Sequence, residues 1–133
     1  MRIVVAGDQF WLCHKLAAAV LRRMTTRYGV DIVIVHTDDA GVAESFATAA
    51  KGQRLKTEEH LADFGHLGDA AIRFRNHAML RGIGLCVIVH RSILDAGTKD
   101  LASQSVAADV PTYLIDSEAA VPRRIRAEDA RLS

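Results

Sequence analysis

Four short apolar runs constrain the fold more than any other feature: RIVVA at 2–6, DIVIV at 31–35, GLCVIV at 84–89 and TYLI at 112–115. Each is nearly continuous and rich in β-branched residues. Such runs suit strands buried on both faces, as in a parallel sheet covered by helices. Between them lie helical patterns. Leu12, Leu16, Val20 and Met24 recur at a spacing of four and form one apolar stripe, and Gly29 marks the turn that follows. A second helix is expected over 41–52. A third covers roughly 67–81, with Ile72, Met79 and Leu80 on its apolar side. A fourth follows Thr98, a suitable N-cap, and stops before Pro111. The polar stretch QRLKTEEH at 53–60 reads as a short edge strand, and 61–68 as a loop.

Alternation of strand and helix predicts an α/β fold with a parallel sheet. The expectation is one domain over 1–116, with five parallel strands in the order 3-2-1-4-5 and helices on both faces. The charged segment 117–133 is expected to be a tail, either a short helix or disordered. Right-handed crossovers put every strand's C-terminal end on one edge, where ligands of open sheets bind.

Composition excludes several functions. The 133 residues carry a net charge of +1, with acids and bases interspersed, which argues against a nucleic-acid partner. Cys13 and Cys86 show no CxxC spacing and read as small buried hydrophobes. Neither they nor the six histidines show zinc-ligand spacing, so no metal and no cofactor is expected. The first apolar run is too short for a signal peptide, and no run approaches a membrane span. A cytoplasmic protein without a membrane partner is the expectation.

Two stretches read almost alike, VIVHTDDAG from Val33 and VIVHRSILDAGT from Val87. Both are expected to be central strands whose histidines, His36 and His90, emerge at the ligand-binding edge. Shared constraints on neighbouring βα units explain the likeness better than duplication of a site.

A set of residues in fixed order carries a family resemblance. It comprises Gly7 and Trp11 in GDQFW, His36, Gly41, Arg75 with Asn76, Met79 with Leu80, Gly97 with Thr98, and Asp100. This order resembles the SLOG superfamily, in particular its small YspA-like members, over roughly 1–116. The superfamily also includes the LOG phosphoribohydrolases and the Rossmann-like domain of DprA. The resemblance implies a Rossmann-like fold, a nucleotide-type ligand and a homodimer built from helices flanking the site. The departures fall in the phosphate-binding loops. Asp8-Gln9 replaces Ser-Arg, Thr37-Asp38 replaces Gly-Gly, and Ile93-Leu94-Asp95 replaces Pro-Gly-Gly.

The candidate ligand-binding residues are therefore Gly7, Asp8, Gln9, Trp11, His36, Gly41, Arg75, Asn76, His90, Gly97 and Thr98. Arg75 and Asp100 resemble the arginine–carboxylate couple of LOG enzymes, although Asp is one methylene shorter than Glu. The alternative is a surface Arg75 and a helix-terminal Asp100. Trp11 either stacks on a base or covers the sheet. His36 and His90 either meet a ligand or bond nearby backbone. Asp38, Asp39 and Asp95 either cap helices and turns or hold a cation. An anion about 5 Å from one such carboxylate is repelled by roughly 3 kcal/mol at an effective dielectric near 20. A helix N-terminus returns only about 0.3–2 kcal/mol. Three functions follow: a binding module for a nucleotide or nucleotide-derived molecule with a sensor or sequestering role, a phosphoribohydrolase-like enzyme cleaving an N-glycosidic bond, or a module working through protein contacts as a homodimer.

Overall fold

The computed structural model describes residues 1–129 and 132. Its strands are β1 (Arg2–Gly7), β2 (Val33–Thr37), β3 (Lys56–His60), β4 (Ile83–Val89), β5 (Thr112–Ile115) and β6 (Arg123–Arg124). Its helices are α1 (His14–Tyr28), α2 (Val42–Gly52), α3 (Phe64–Leu67), α4 (Ala71–Met79) and α5 (Ala96–Ala107), with a 3-10 turn at Gly68–Ala70 before α4. The sheet order is β3-β2-β1-β4-β5-β6. The first five strands are parallel, in the predicted order, and β6 adds an antiparallel edge to β5. The chain is an α/β Rossmann-like domain of three layers.

Side-chain alternation along the strands divides the core in two. Ile3, Val5, Ile34, Leu85, Val87, Val89 and Ile115 face α1 and α2, where Leu16, Val20, Leu21 and Phe46 meet them. Val4, Ala6, Val35, Cys86, Ile88 and Leu114 face α4 and α5, against Met79 and Leu101. Each fully buried large side chain contributes about 1.5–3 kcal/mol.

Several local expectations change. Leu12 precedes α1 and is exposed, whereas Leu16, Val20 and Met24 are buried as the stripe requires. The loop 61–68 contains the single turn α3, which Asp63 caps by accepting from the His66 amide. Thr98 is not the N-cap of α5. Asp95 is, accepting from the Thr98 amide at 3.1 Å and its hydroxyl at 2.8 Å, because the helix begins at Ala96. The segment after Asp116 is not a free tail where it is described. It contributes β6 and buries Ala120 and Ile125, and the Ile125 amide donates to the Thr112 carbonyl. Ala130, Arg131 and Ser133 of that segment lie outside the described residues.

The end of β1 is the tightest place in the fold. A Cβ on Gly7 would overlap the Val89 carbonyl, so only glycine lets β1 and β4 approach there. The next residue, Asp8, ties four segments together. Its amide donates to Val89, its carbonyl accepts from Trp11 and Val42, and its carboxylate accepts from the Phe10 amide. Gly41 adopts φ +74°, and a Cβ on it would run into the Asp8 and Gln9 backbone. The β1–α1 loop is thereby locked against the start of α2.

Gly7→Ala is expected to cost at least about 3 kcal/mol, the upper end for overpacking, because the obstacle is strand backbone. Urea denaturation checks this, and a variant within about 1 kcal/mol of wild type would contradict the crowding. A second expectation concerns Asp95. Burial pushes its carboxyl up, but the Thr98 amide and hydroxyl, with His90 beside them, outweigh burial and hold it below the usual range. A lowered folded-state value means that the stabilisation is full above the unfolded value, near ~4, and is lost as pH falls through the folded one. Asp95→Ala should cost about 1 kcal/mol at neutral pH, and the gap from wild type in urea melts should close progressively on acidification.

Candidate functional site

The strand C-termini open onto a cleft of about 340 Å³ on the α4–α5 side of the sheet. Its volume lies at the low end for small-molecule sites. Gly7 and Gln9 border it from the β1 loop, Thr37, Asp38 and Asp39 from the end of β2, and Phe64 from α3. Arg75 and Asn76 enter from α4, and Asp95, Gly97 and Thr98 from the start of α5.

Arg75 dominates the electrostatics. Among the described lining residues it is the single cation, set against Asp38, Asp39 and Asp95. Its side chain is only 9% exposed and its Nη1 lies 3.8 Å from Asp39 Oδ2, a long ion pair. Its Nη2 donates to Asn76 Oδ1 at 3.4 Å, and its buried Nε has no partner. A buried charged donor left without an acceptor costs about 1–3 kcal/mol or more. Asp39 itself is engaged by Thr37, whose hydroxyl donates to it at 2.8 Å.

Of the candidate residues, Gly7, Gln9, Arg75, Asn76, Gly97 and Thr98 come together around this cleft. Asn76 is fully buried and works chiefly as a cross-link. Its Nδ2 donates to the Gly97 carbonyl at 3.0 Å and to Asp100 Oδ2 at 2.9 Å, pinning α4 to α5. Asp100 also accepts from Gln104 and borders a separate depression with Arg73, Phe74 and His77. Arg75 and Asp100 thus do not face one another across the cleft, and Asp39 is the carboxylate nearest the guanidinium.

Asp8, Trp11, His36, Gly41 and His90 stand elsewhere. Asp8 and Gly41 are spent on the backbone knot described above. Because the Asp8 carbonyl takes the Val42 amide at 3.0 Å, that N–H at the start of α2 is not free for an anion. Trp11 is buried, with the Arg91 guanidinium 4.6 Å from its ring centroid, so it covers the sheet edge. His36 and His90 illustrate a phase error. The string VIVH recurs, but Ile34 belongs to the α1–α2 core whereas its counterpart Ile88 belongs to the opposite one. Alternation therefore sends the two histidines to opposite faces.

His36 lies on the α2 side, in a groove with Glu44, Lys51 and Glu59, and its Nδ1 donates to the Thr37 carbonyl at 2.7 Å. His90 Nδ1 accepts from the Ser92 amide at 3.3 Å, which leaves its Nε2 as the donor to Asp95 Oδ1, 3.2 Å away. Both histidines are buried and bonded locally. Thr37, Phe64, Ile72 and Met79 also line the cleft and were not expected there. For Thr37 the signal was present in the strand phase, since it follows Val35 by two.

Neither cysteine supplies a nucleophile. Burial pushes the Cys86 thiol up to about 12 and raises that of Cys13 as well. Among the described residues no group of three or more His, Cys, Asp or Glu could hold a metal, and no helix is long and apolar enough to cross a membrane.

Comparison with known proteins agrees with this architecture. Residues 1–66 match the family model described as "YAcAr: YspA, cpYpsA-related SLOG family". No curated protein matches the sequence. Among solved structures the chain is similar to DNA processing protein A (DprA) from Streptococcus pneumoniae, with a TM-score of 0.64 at 12% identity over 88% of this chain. It spans 50% of that protein, and at this identity the likeness is one of fold. Residues 1–66 thus carry a SLOG-family sequence match, and the fold shared with DprA extends over most of the chain.

Proposed function

We propose that the α4–α5 cleft binds a nucleotide or nucleotide-derived small molecule, in a sensor or sequestering role. The observation that carries this reading is Arg75, a nearly buried guanidinium with an unpartnered Nε beside the cleft. A phosphate or carboxylate of the ligand pairs with the guanidinium, and a charge-assisted bond in a recessed site is among the stronger kinds. The three carboxylates then select what surrounds that anion. Ionised carboxylates only accept hydrogen bonds, so Asp38, Asp39 and Asp95 suit sugar hydroxyls or amino groups and repel further phosphates. A ligand with a single anionic group and a donor-rich sugar fits best. The exposed Phe64 ring at the rim offers a face to a base.

Cleavage of an N-glycosidic bond by Arg75 and Asp100 is the weaker reading. Asp100 is held by Asn76 and Gln104 and lies outside the cleft lining. Incubation with nucleoside monophosphates should release no base above the buffer rate. Release that Asp100→Asn abolishes would establish the enzyme instead.

Association as a homodimer belongs to the same proposal, with α4 at the twofold contact. Phe74 on its outer side is 52% exposed, between Arg73 and His77. Sedimentation at micromolar concentration should give a dimer, and Phe74→Ser should shift it to monomer. A wild-type monomer would remove the contact.

Arg75→Gln tests the binding site itself. Loss of a charged hydrogen bond of about 1.5–3 kcal/mol lowers affinity roughly 10- to 150-fold. Stability should change by no more than about 1 kcal/mol, since the native arginine already lacks a partner at Nε. Calorimetric titration with adenosine monophosphate, guanosine monophosphate and ADP-ribose is the measurement. Absence of binding to wild type across this panel, or equal affinity in the variant, would overturn the reading.

A further inference from the structure

The opposite face of the sheet carries a second cleft, with reversed electrostatics. Among the described residues, α1 and α2 are the helices on this face, and α1 borders its β4–β5 half. After β5 the chain runs on into β6, so that half is bordered by α1 on one side and by Pro122 on the other. The resulting cleft holds about 270 Å³. Leu85, Val87 and Ile115 form its floor, with Val20 and Met24 as the apolar part of the α1 wall.

Two arginines line this cleft, and a third stacks on the lining residue Tyr113. Arg23 and Arg27 project from successive turns of α1 into the lining. Arg124 lies across the Tyr113 ring at 5.5 Å, and Arg27 across Tyr28 at 5.6 Å. Arg23 donates one bond to the Ala120 carbonyl at 2.8 Å. None of the three forms an ion pair with a carboxylate among the described residues, and no acid lines the cleft. An apolar floor under unneutralised guanidiniums selects an anion with an apolar body.

We propose that this cleft is a second small-molecule site, for an amphiphilic carboxylate consisting of a medium-length aliphatic chain with one anionic head. The chain lies over Leu85, Val87 and Ile115, and the head sits between Arg23 and Arg27. The occupant is slender because the floor is recessed. Leu85, Val87 and Ile115 are each less than 8% exposed, so a broad protein surface would not reach them. A second copy of this chain is disfavoured by charge, since twofold packing would set arginine against arginine. The volume falls just below the range for drug-sized ligands, which bounds the chain length.

Titration of the whole protein with octanoate, by calorimetry and by methyl-resolved NMR, tests the proposal. Saturable binding is expected, with shifts concentrated on the methyl groups of Leu85, Val87 and Ile115. Octanol, which keeps the chain and loses the charge, should bind at least about tenfold more weakly. Arg27→Gln should weaken octanoate binding, and the Arg23→Gln/Arg27→Gln pair should weaken it about tenfold or more. Arg27→Gln should keep the wild-type melting temperature, because that side chain is exposed, and the pair should lose no more stability than the Arg23 bond to Ala120 contributes. Arg75→Gln should leave octanoate binding unchanged, which separates this site from the nucleotide cleft. Failure of octanoate to bind saturably, equal affinity for octanol, or shifts centred on Ile72 and Met79 would each overturn the proposal. So would a change in sedimentation behaviour in the double variant, which would make the cleft a contact between chains.

Discussion

The close approach of β1 to β4 at Gly7 is the constraint on which the rest of the structure depends. With no side chain at Gly7, the Asp8 amide reaches the Val89 carbonyl, and the remaining polar groups of Asp8 can serve the β1–α1 loop and the start of α2. One residue thereby sets the exit of β1 relative to β4, the entry to α1 and the seat of α2. Ser45 reinforces the arrangement by accepting from the Cys13 amide and donating to the Gly41 carbonyl. Four segments that must converge for the sheet edge to exist are held by short-range hydrogen bonds at their meeting point. This also explains why glycine persists at positions 7 and 41 although other loop glycines typical of the superfamily are replaced. These two are required by backbone crowding, with or without a phosphate nearby.

The same knot decides which side of the edge is available to a ligand. On the α2 side, the Asp8 carbonyl already takes the Val42 amide. On the α4–α5 side, Asn76 pins the two helices together and Arg75 is left with one unsatisfied donor among three carboxylates. In the proposed binding mode, anionic side chains that would repel a polyphosphate serve as acceptors for a sugar once a single anion is anchored at Arg75.

Much of the architecture was legible in the chain. Four apolar runs separated by helix-length amphipathic patterns imply a covered parallel sheet, because only strands buried on both faces tolerate such continuous β-branched composition. Local chemistry was less legible. Thr98 and Asp95 are both competent N-caps three residues apart, and the choice fell to Asp95 because His90 and the end of β4 approach it from outside the helix. The residues after Asp116 look like a charged tail, yet Ile125 and Ala120 find buried places against the sheet edge and α1.

The two VIVH strings mark the boundary between the two kinds of information. Composition and spacing determined that both are central strands ending at one edge, since burial and chain connectivity leave a parallel α/β domain little alternative. The face each histidine meets was decided only by tertiary structure, because a strand's side-chain period is two and a one-residue difference in phase reverses every side chain. His36 and His90 consequently lie on opposite sides of the sheet and outside the cleft lining, whereas Arg75, carried by a helix, reaches the cleft. The same holds for Arg75 and Asp100. The family resemblance implied a couple, but Asp100 accepts from Asn76 and Asp39 is the carboxylate nearest the guanidinium.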